Sequence, residues 1–335
     1  MTDLRLARNQ NEFFSGTEIV TALYQLMLGR NPDQVGFNVH LKSLQDNGLG
    51  RVLSDFANSN EFRNRFGTRP GWLDLNRDPA MGVDVRVSSV DRDKLWAHVR
   101  RGWNRLGETE PYWSVLTNPK FRSEEIRRAD SVESFYATGI DDVTYFDAFL
   151  ERNSVALPAD AVVVEFGCGV GRVTSALARR FSKVIALDVS ASHLRVARER
   201  MIAENISNVE FVLLEDPSGL KKLKNVDVFF SIIVLQHNPP PIIAHCIEEA
   251  CHGLRPGGIA FFQVPTYGRG YKFNTEKYLE VGYQKNEIEM HFIPQNEIFK
   301  IFRATNMALI ETRQDHCIGH YDLWISNTFL ARKES

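Results

Sequence analysis

The sequence predicts an α/β protein, with a doubly wound, mostly parallel sheet preceded by a small all-α N-terminal domain. Three observations lead there. From residue 161 onward, short apolar runs alternate with amphipathic segments. Between residues 17 and 66, apolar residues recur at helical spacing instead. The chain has 335 residues, 43% of them apolar and 24% charged, which is globular composition and enough length for two domains.

The N-terminal domain is expected over residues 1–72. In TEIVTALYQLMLGR, Ile19, Leu23, Leu26 and Leu28 fall near helical spacing, and Thr17 with Glu18 marks a start. NPDQVGFNVHLKSLQDNG begins with a turn and continues with Phe37, Leu41 and Leu44 on one face. Leu49, Leu53 and Phe56 follow, then an Asn-Ser-Asn break, then Phe62 and Phe66. No titratable cluster of catalytic type occurs here, and the solitary His40 reads as structural or surface.

Residues 73–92 are rich in Pro, Gly and Asp without a period and read as a linker. Residues 93–152 regain a helical pattern around Trp96, Val99 and Trp103 and read as a helical lead-in or lid. Trp103, Tyr112 and Trp113 lie close in sequence; they read either as packing of a domain joint or as the wall of an aromatic pocket.

The segment 153–335 carries the chemistry. AVVVEF is a continuous apolar run, as expected for a strand buried on both faces. It ends in GCGVGR and is followed by an amphipathic helix; KVIALDVS, NVEFVLLED, VDVFFSIIVLQH and IAFFQV are further strands. Such sheets bind ligands at the carboxyl ends of their strands. Glu165, Gly167, Gly169 and Gly171 form the first candidate, because glycines at a strand-to-helix turn allow close backbone approach. Asp188 follows Glu165 by 23 residues at the end of the next strand, where an acid can accept both hydroxyls of a ribose. The dinucleotide fingerprint requires a third glycine where this chain has Arg172. A carboxylate such as Glu165 disfavours a pyrophosphate and favours an ammonium group, so the turn suits an adenosyl ligand with a charged amino-acid end.

These residues resemble the class I S-adenosylmethionine-dependent methyltransferases over about residues 130–335. VVEFGCGVGRV looks like their first motif, LDVS their second, VDVFFSIIVLQH their fourth, and LRPGG the turn before the fifth strand. The resemblance implies a Rossmann-like fold and S-adenosyl-L-methionine as cofactor. It also implies that Val189 and Ile232 line the cofactor, and that Glu215 or Asp216 contacts the adenine. The N-terminal stretch LYQLMLGRNPDQVGF with FANSNEFRNRF resembles a bacterial helical module of unknown function, similar to phycobilisome-linker-type bundles. That module accompanies surface-protein and glycan-assembly proteins, which implies protein partners or self-association. SVLTNPKFR, FYATG and VLQHNPPP resemble a bacterial subgroup found among surface-biosynthesis proteins.

Methyl transfer to a hydroxyl benefits from a base. His237 follows the fourth strand and reads as a base, an acceptor-orienting group, or a residue shaping its loop. Asn238, Gln263, Tyr267, Glu289 and His291 read as acceptor contacts, with His291 an alternative base. Glu289 and His291 alternate and would share a face in a strand. The histidines and cysteines at 245, 246, 251, 252, 316, 317 and 320 have no usual zinc spacing, so no metal is expected. Cys168 reads as packing. The expected function is O-methylation of a sugar or glycan precursor. Another small-molecule acceptor and a non-catalytic cofactor-binding role remain open, and Arg172 opposes a nicotinamide-dependent oxidoreductase. A net charge of -2 gives no general pull toward nucleic acid or anionic lipid. No apolar run approaches the roughly 20 residues of a membrane helix, no signal peptide is evident, and the cysteine pattern suits a reducing, cytoplasmic compartment.

Overall fold

Ser15, rather than Thr17, starts the N-terminal helices. Its hydroxyl accepts the Glu18 amide at 3.2 Å, and the Glu18 carboxylate accepts the Ser15 amide at 2.8 Å, a reciprocal capping box. The computed structural model describes residues 6–9, 12–66, 80–126, 129–281, 288–318 and 323–335. A short antiparallel hairpin of β1 (Leu6–Asn9) and β2 (Glu12–Phe14) precedes the helices and was not expected. Helix α1 (Gly16–Leu23) runs into a π turn (Tyr24–Leu28). Asp33 caps α2 (Gln34–Asn58), which kinks at Gly48, and Ser59 separates it from α3 (Asn60–Phe66). Val20, Tyr24, Leu44, Val52 and Phe56 form the core. The His40 ring lies 5.7 Å from that of Tyr24 and 4.5 Å from that of Phe56, and burial lowers its pKa, so it is a packing residue.

The chain divides between Asp78 and Pro79 into two compact units. Part of the expected linker lies outside the described residues; from residue 80 the chain is built into the second unit. There β3 (Gly82–Val83) pairs in parallel with β9 (Lys272–Phe273), Val85 is buried, and Ser88 caps α4 (Ser89–Thr109). Helix α5 (Ala129–Arg152) leads into the sheet.

Seven strands form that sheet in the order β10-β11-β8-β7-β4-β5-β6. Strands β4 (Val162–Phe166), β5 (Lys183–Asp188), β6 (Val209–Leu213), β7 (Val226–Ser231) and β8 (Leu254–Gly268) are parallel. Strands β10 (Met307–Gln314) and β11 (Trp324–Lys333) close one edge in antiparallel fashion. The sheet is Rossmann-like and doubly wound. Alternate residues explain the unbroken apolar runs: Val228, Phe230 and Phe261 pack under α5 and α6 (Thr174–Arg180), while Phe229 and Phe262 pack under α8 (Pro240–Gly253) and α10 (Gln295–Ala304). Helix α7 (Ala191–Ala203) follows β5, and α9 (Thr275–Val281) follows β9. The chain leaves β4 for β5 on one side and returns to β7 on the other, which opens a crevice at the carboxyl end of β4.

The segment from 80 to 88 belongs to the fold of the second unit, so its removal is expected to cost stability. A fragment starting at Pro79 should melt in one cooperative transition. A fragment starting at residue 90 loses β3, Val85 and the Ser88 cap and should be less stable by about 1–2 kcal/mol, a few degrees in a calorimetric scan. Equal melting temperatures would show that the segment contributes nothing.

Candidate active site

The turn after β4 reads Gly167-Cys168-Gly169-Val170-Gly171. Gly167 has φ +77° and Gly169 φ +54°, left-handed values that glycine adopts without cost. A Cβ would stand 2.2 Å from Val234 at Gly167 and 2.7 Å from Val115 at Gly169, so two neighbouring segments press directly on the turn. The amides of Gly167 and Cys168 donate to the Leu187 carbonyl at 2.8 and 3.0 Å. The Gly169 amide donates to Asp188 Oδ2 and the Ser190 amide to Asp188 Oδ1, both at 2.8 Å. Each Asp188 oxygen thereby holds one backbone donor and keeps a second lone-pair direction for a ligand.

Around this turn lies a cleft of about 790 Å³, counted out to open solvent. Of the expected cofactor residues, Glu165, Gly167, Gly169, Asp188, Val189 and Ile232 line it. Gly171 does not; it packs against Ala197 and Met201 of α7. Glu215 and Asp216 are not among the lining residues either. Both carboxylates are exposed on a different cleft, between α4 and the 217–222 turn. Asp216 caps that turn, accepting the Ser218 amide at 2.8 Å, and the Glu215 carbonyl accepts Arg100 Nη1 at 2.7 Å.

The structure adds residues that sequence reasoning missed. Ser114 and Val115 roof the turn, and Ser114 Oγ is 2.9 Å from His193 Nε2. Arg172 lines the cleft with its charge paired to Asp142 at 2.6 Å. Trp103 lines it too, with its ring centroid 5.6 Å from that of His237, so the pocket-wall reading holds for this tryptophan. Tyr112 packs instead on Phe135, and Trp113 lies under the Arg122 guanidinium at 3.5 Å.

The expected acceptor residues are scattered. His237 and Asn238 line the cleft. Gln263 is fully buried: its Oε1 accepts the Ile233 amide at 3.0 Å, and its Nε2 donates to Gln236 and Ser326. It therefore holds the loop and cannot reach an acceptor. Tyr267 sits on β8 opposite Ile325, away from the cleft. Glu289 and His291 lie in an irregular segment rather than a strand, yet their side chains meet at 3.0 Å, and Glu289 lines a smaller slot beside the cleft. His245 Nε2–H donates to the Pro217 carbonyl, 3.1 Å away, and His320 lies outside the described residues.

Burial dominates the electrostatics. It pushes the Glu165 pKa up to about 7, against the opposing hydrogen bond from Thr174 Oγ1 at 2.6 Å. It drives the Cys168 thiol well above its usual value, leaving an inert packing residue. It lowers His193, and it lowers His237 to about 4. The Nδ1 of His237 lies 2.8 Å from the Glu289 carbonyl, so Nδ1 carries the proton and Nε2 the lone pair.

A methyltransferase domain family matches residues 163–258. The second unit carries an S-adenosylmethionine-dependent methyltransferase domain. The ubiquinone biosynthesis O-methyltransferase of Serratia proteamaculans (strain 568) is 26% identical over 170 residues, covering 49% of this chain and 67% of its own length. The ubiquinone biosynthesis O-methyltransferase of Acinetobacter baumannii (strain AYE) is 30% identical over 102 residues, covering 30% of this chain. The chain spans only 42% of the length of that relative. A magnesium protoporphyrin IX methyltransferase from Synechocystis PCC 6803 with bound SAH shares the fold, with a TM-score of 0.50 and 17% identity over 72% of this chain and all of that one. Residues 9–66 match a domain of unknown function, DUF4214. The donor set of the methyltransferase domain fits its cofactor: two buried carboxylates flank a glycine turn, and all three line the cleft. Among the described residues, no helix is long and apolar enough to cross a membrane.

Glu165 makes stability depend on pH in a defined sense. Its folded pKa of about 7 exceeds the ordinary 4.5, so its contribution is fully present below pH 4.5 and is lost as pH rises to about 7. Glu165→Gln is expected to flatten that slope and to be more stable than the parent at pH 8, by on the order of 3 kcal/mol. Urea unfolding across pH 4–8 without cofactor reads this; parallel curves for the two proteins would refute it.

Proposed function

We propose that the second unit transfers a methyl group from S-adenosylmethionine to a hydroxyl of a small acceptor. The observation that carries this reading is the cleft at the switch point of the sheet, where a glycine turn lies between the carboxylates of Glu165 and Asp188. Bound S-adenosylmethionine supplies an electrophilic methyl group on a sulfonium. Asp188 has a lone pair left on each oxygen to accept ribose hydroxyls, and Glu165 offers a negative partner for an ammonium group. Val189 and Ile232 give apolar surface, while Trp103, Val99 and Val115 cover the cleft and exclude water. His237 is neutral near pH 7, and its Nε2 accepts from the Gln236 side-chain amide at 3.2 Å, so an acceptor hydroxyl binds there by taking the place of Gln236. A pKa near 4 makes it a weak base, and orientation is its larger contribution.

The relatives named O-methyltransferases support a hydroxyl acceptor. The sugar reading rested on the company kept by the N-terminal module and on a set of polar contacts. Of that set only Asn238 lines the cleft, and the surrounding walls are Val99, Trp103, Val115, Ile232 and Val234. Such walls favour a small organic acceptor over a polyhydroxylated one. For the N-terminal unit an interaction role is supported by exposed Leu26, Val35 and Val39.

Calorimetry with S-adenosylhomocysteine tests the site. Asp188→Ala is expected to weaken binding by about 1–3 kcal/mol, roughly 5- to 150-fold. Unchanged affinity in a folded variant would remove Asp188 from the site, and no binding by the parent chain would favour a non-catalytic role. His237→Ala should leave that affinity intact and lower turnover by about 10²-fold, the low end for a hydrogen-bonding acid–base residue. Full turnover in that variant would place the orienting group elsewhere.

A further inference from the structure

A groove of about 1140 Å³, counted out to open solvent, lies in the second unit and shares no lining residue with the cofactor cleft. The segment after β3, the start of α4 and helix α9 form its walls. Four carboxylates line it, those of Asp84, Asp91, Glu276 and Glu280, against one cation, Lys94. Lys94 Nζ donates to Asp91 Oδ1 at 3.0 Å, and the Ser88 hydroxyl donates to Asp91 Oδ2 at 2.8 Å. Asp84 Oδ2 accepts the Thr275 amide at 2.8 Å and Asn274 Nδ2 at 3.4 Å, which leaves Oδ1 for a ligand. Glu276 and Glu280 have no ion-pair partner among the described residues. They stand one turn apart on α9, where like charges repel. The positive ends of α4 and α9 offset roughly half a charge each, so the groove stays net negative. A second sign of a missing ligand is Thr275. It lines the groove, is only 7% exposed, and its Oγ1 has no hydrogen-bond partner. A buried hydroxyl left in that state is costly.

We propose that this groove binds a linear aliphatic polyamine. Its ammonium groups pair with Asp84, Glu276 and Glu280, and one of them donates to Thr275 Oγ1. Its methylenes cover Val87 and Leu279, the half-buried apolar residues of the lining. The proposal is independent of the methyl-transfer reading. Among the described residues, no three His, Cys, Asp or Glu side chains are grouped to hold a metal ion. The negative charge is spread along the groove instead, and a chain with spaced charges reaches more of it than a compact cation does. A bound polyamine ties the segment after β3 and α9 to the start of α4. That helix carries Val99 and Trp103 to the cofactor cleft, so the ligand braces one wall of the cleft from outside.

The test is calorimetry of the full chain with spermidine at pH 7, where its amines are charged. The parent is expected to bind with a Kd on the order of 1 mM or tighter in about 20 mM salt, and several-fold more weakly in about 200 mM. Putrescine, with one charge fewer, should bind several-fold more weakly, and magnesium at matched ionic strength should not displace spermidine. The double variant Glu276→Gln/Glu280→Gln should lose about tenfold or more in affinity. Thr275→Val should lose a few-fold; it breaks no hydrogen bond of the hydroxyl, so it keeps the proposal testable if the double variant fails to fold. Glu108→Gln/Glu124→Gln removes the same charge from exposed positions outside the groove and should bind as the parent does. Absence of spermidine binding in the parent, binding that survives Glu276→Gln/Glu280→Gln, an equal loss in Glu108→Gln/Glu124→Gln, or displacement by magnesium overturns the proposal. A tri-lysine peptide that binds more tightly than spermidine also overturns it, by assigning the groove to a basic protein segment.

Discussion

The Asp188 carboxylate accepts the amide of Gly169 from the turn after β4 and the amide of Ser190 from the turn after β5, each at 2.8 Å. Both turns stand at the carboxyl ends of adjacent strands, so this one side chain fixes their separation and the width of the crevice between them. With the turn so held, Val234 from the β7 side and Val115 from the roof can close on Gly167 and Gly169 at distances that exclude any side chain there. His193 packs behind Asp188 and binds Ser114, which ties the roof to the same point. The glycine turn, the roof and the start of α7 are therefore positioned by one buried anion.

Burying anions is costly unless they are paired, and the cleft shows how that cost is distributed. Asp188 is bonded to backbone amides, whereas Glu165 has Thr174 as its hydrogen-bond donor and is driven up to about 7 by burial. Arg172 lies close, but its guanidinium is engaged by Asp142 at 2.6 Å. His193 and His237, which carry positive charge when protonated, are pushed down and stay neutral near pH 7. The cleft is left with carboxylates whose most effective missing partner is a cation. That is the electrostatic character a sulfonium bearing an ammonium group requires.

The central strands were legible because a strand covered on both faces has no polar alternation, and VVVEF, KVIALD and VDVFFS all show this. The glycine turn and Asp188 were legible because their spacing follows from one strand, one helix and the next strand. The edge strand β10 and its neighbour β11 were not, since MALIETRQ mixes charge with apolar residues and is half-exposed, and WISNTFLARK sets Ser, Asn and Thr in its middle although most of it is buried. Residues 80–88 looked like a linker because a two-residue strand has no period to detect. The roof and the Glu289 cluster were illegible for a different reason: Ser114 meets His193 across 79 residues, and His237 meets Glu289 across 52. No local pattern reports such contacts.

Two polar residues expected to face ligands serve the scaffold instead, and each carried a physical sign of it. Asp216 precedes a proline, and Asp before Pro is a helix-start pattern; the carboxylate is consumed in capping the 217–222 turn. Gln263 interrupts the apolar run IAFFQV, and a polar group inside a covered strand must find its partners within the protein. Its partners explain the loop that bears His237. Ile233 has φ +59°, a left-handed conformation that is strained for a β-branched residue. Such strain costs about 1–3 kcal/mol and persists only where the surroundings over-determine it. The Gln263 side chain supplies that constraint by accepting the Ile233 amide while anchored to Ser326 on the neighbouring strand. The distorted residue turns the chain out of β7 so that Val234 meets the glycine turn and His237 reaches the shared edge of cleft and slot. A buried glutamine in the sheet thus positions a histidine at the rim without touching a ligand.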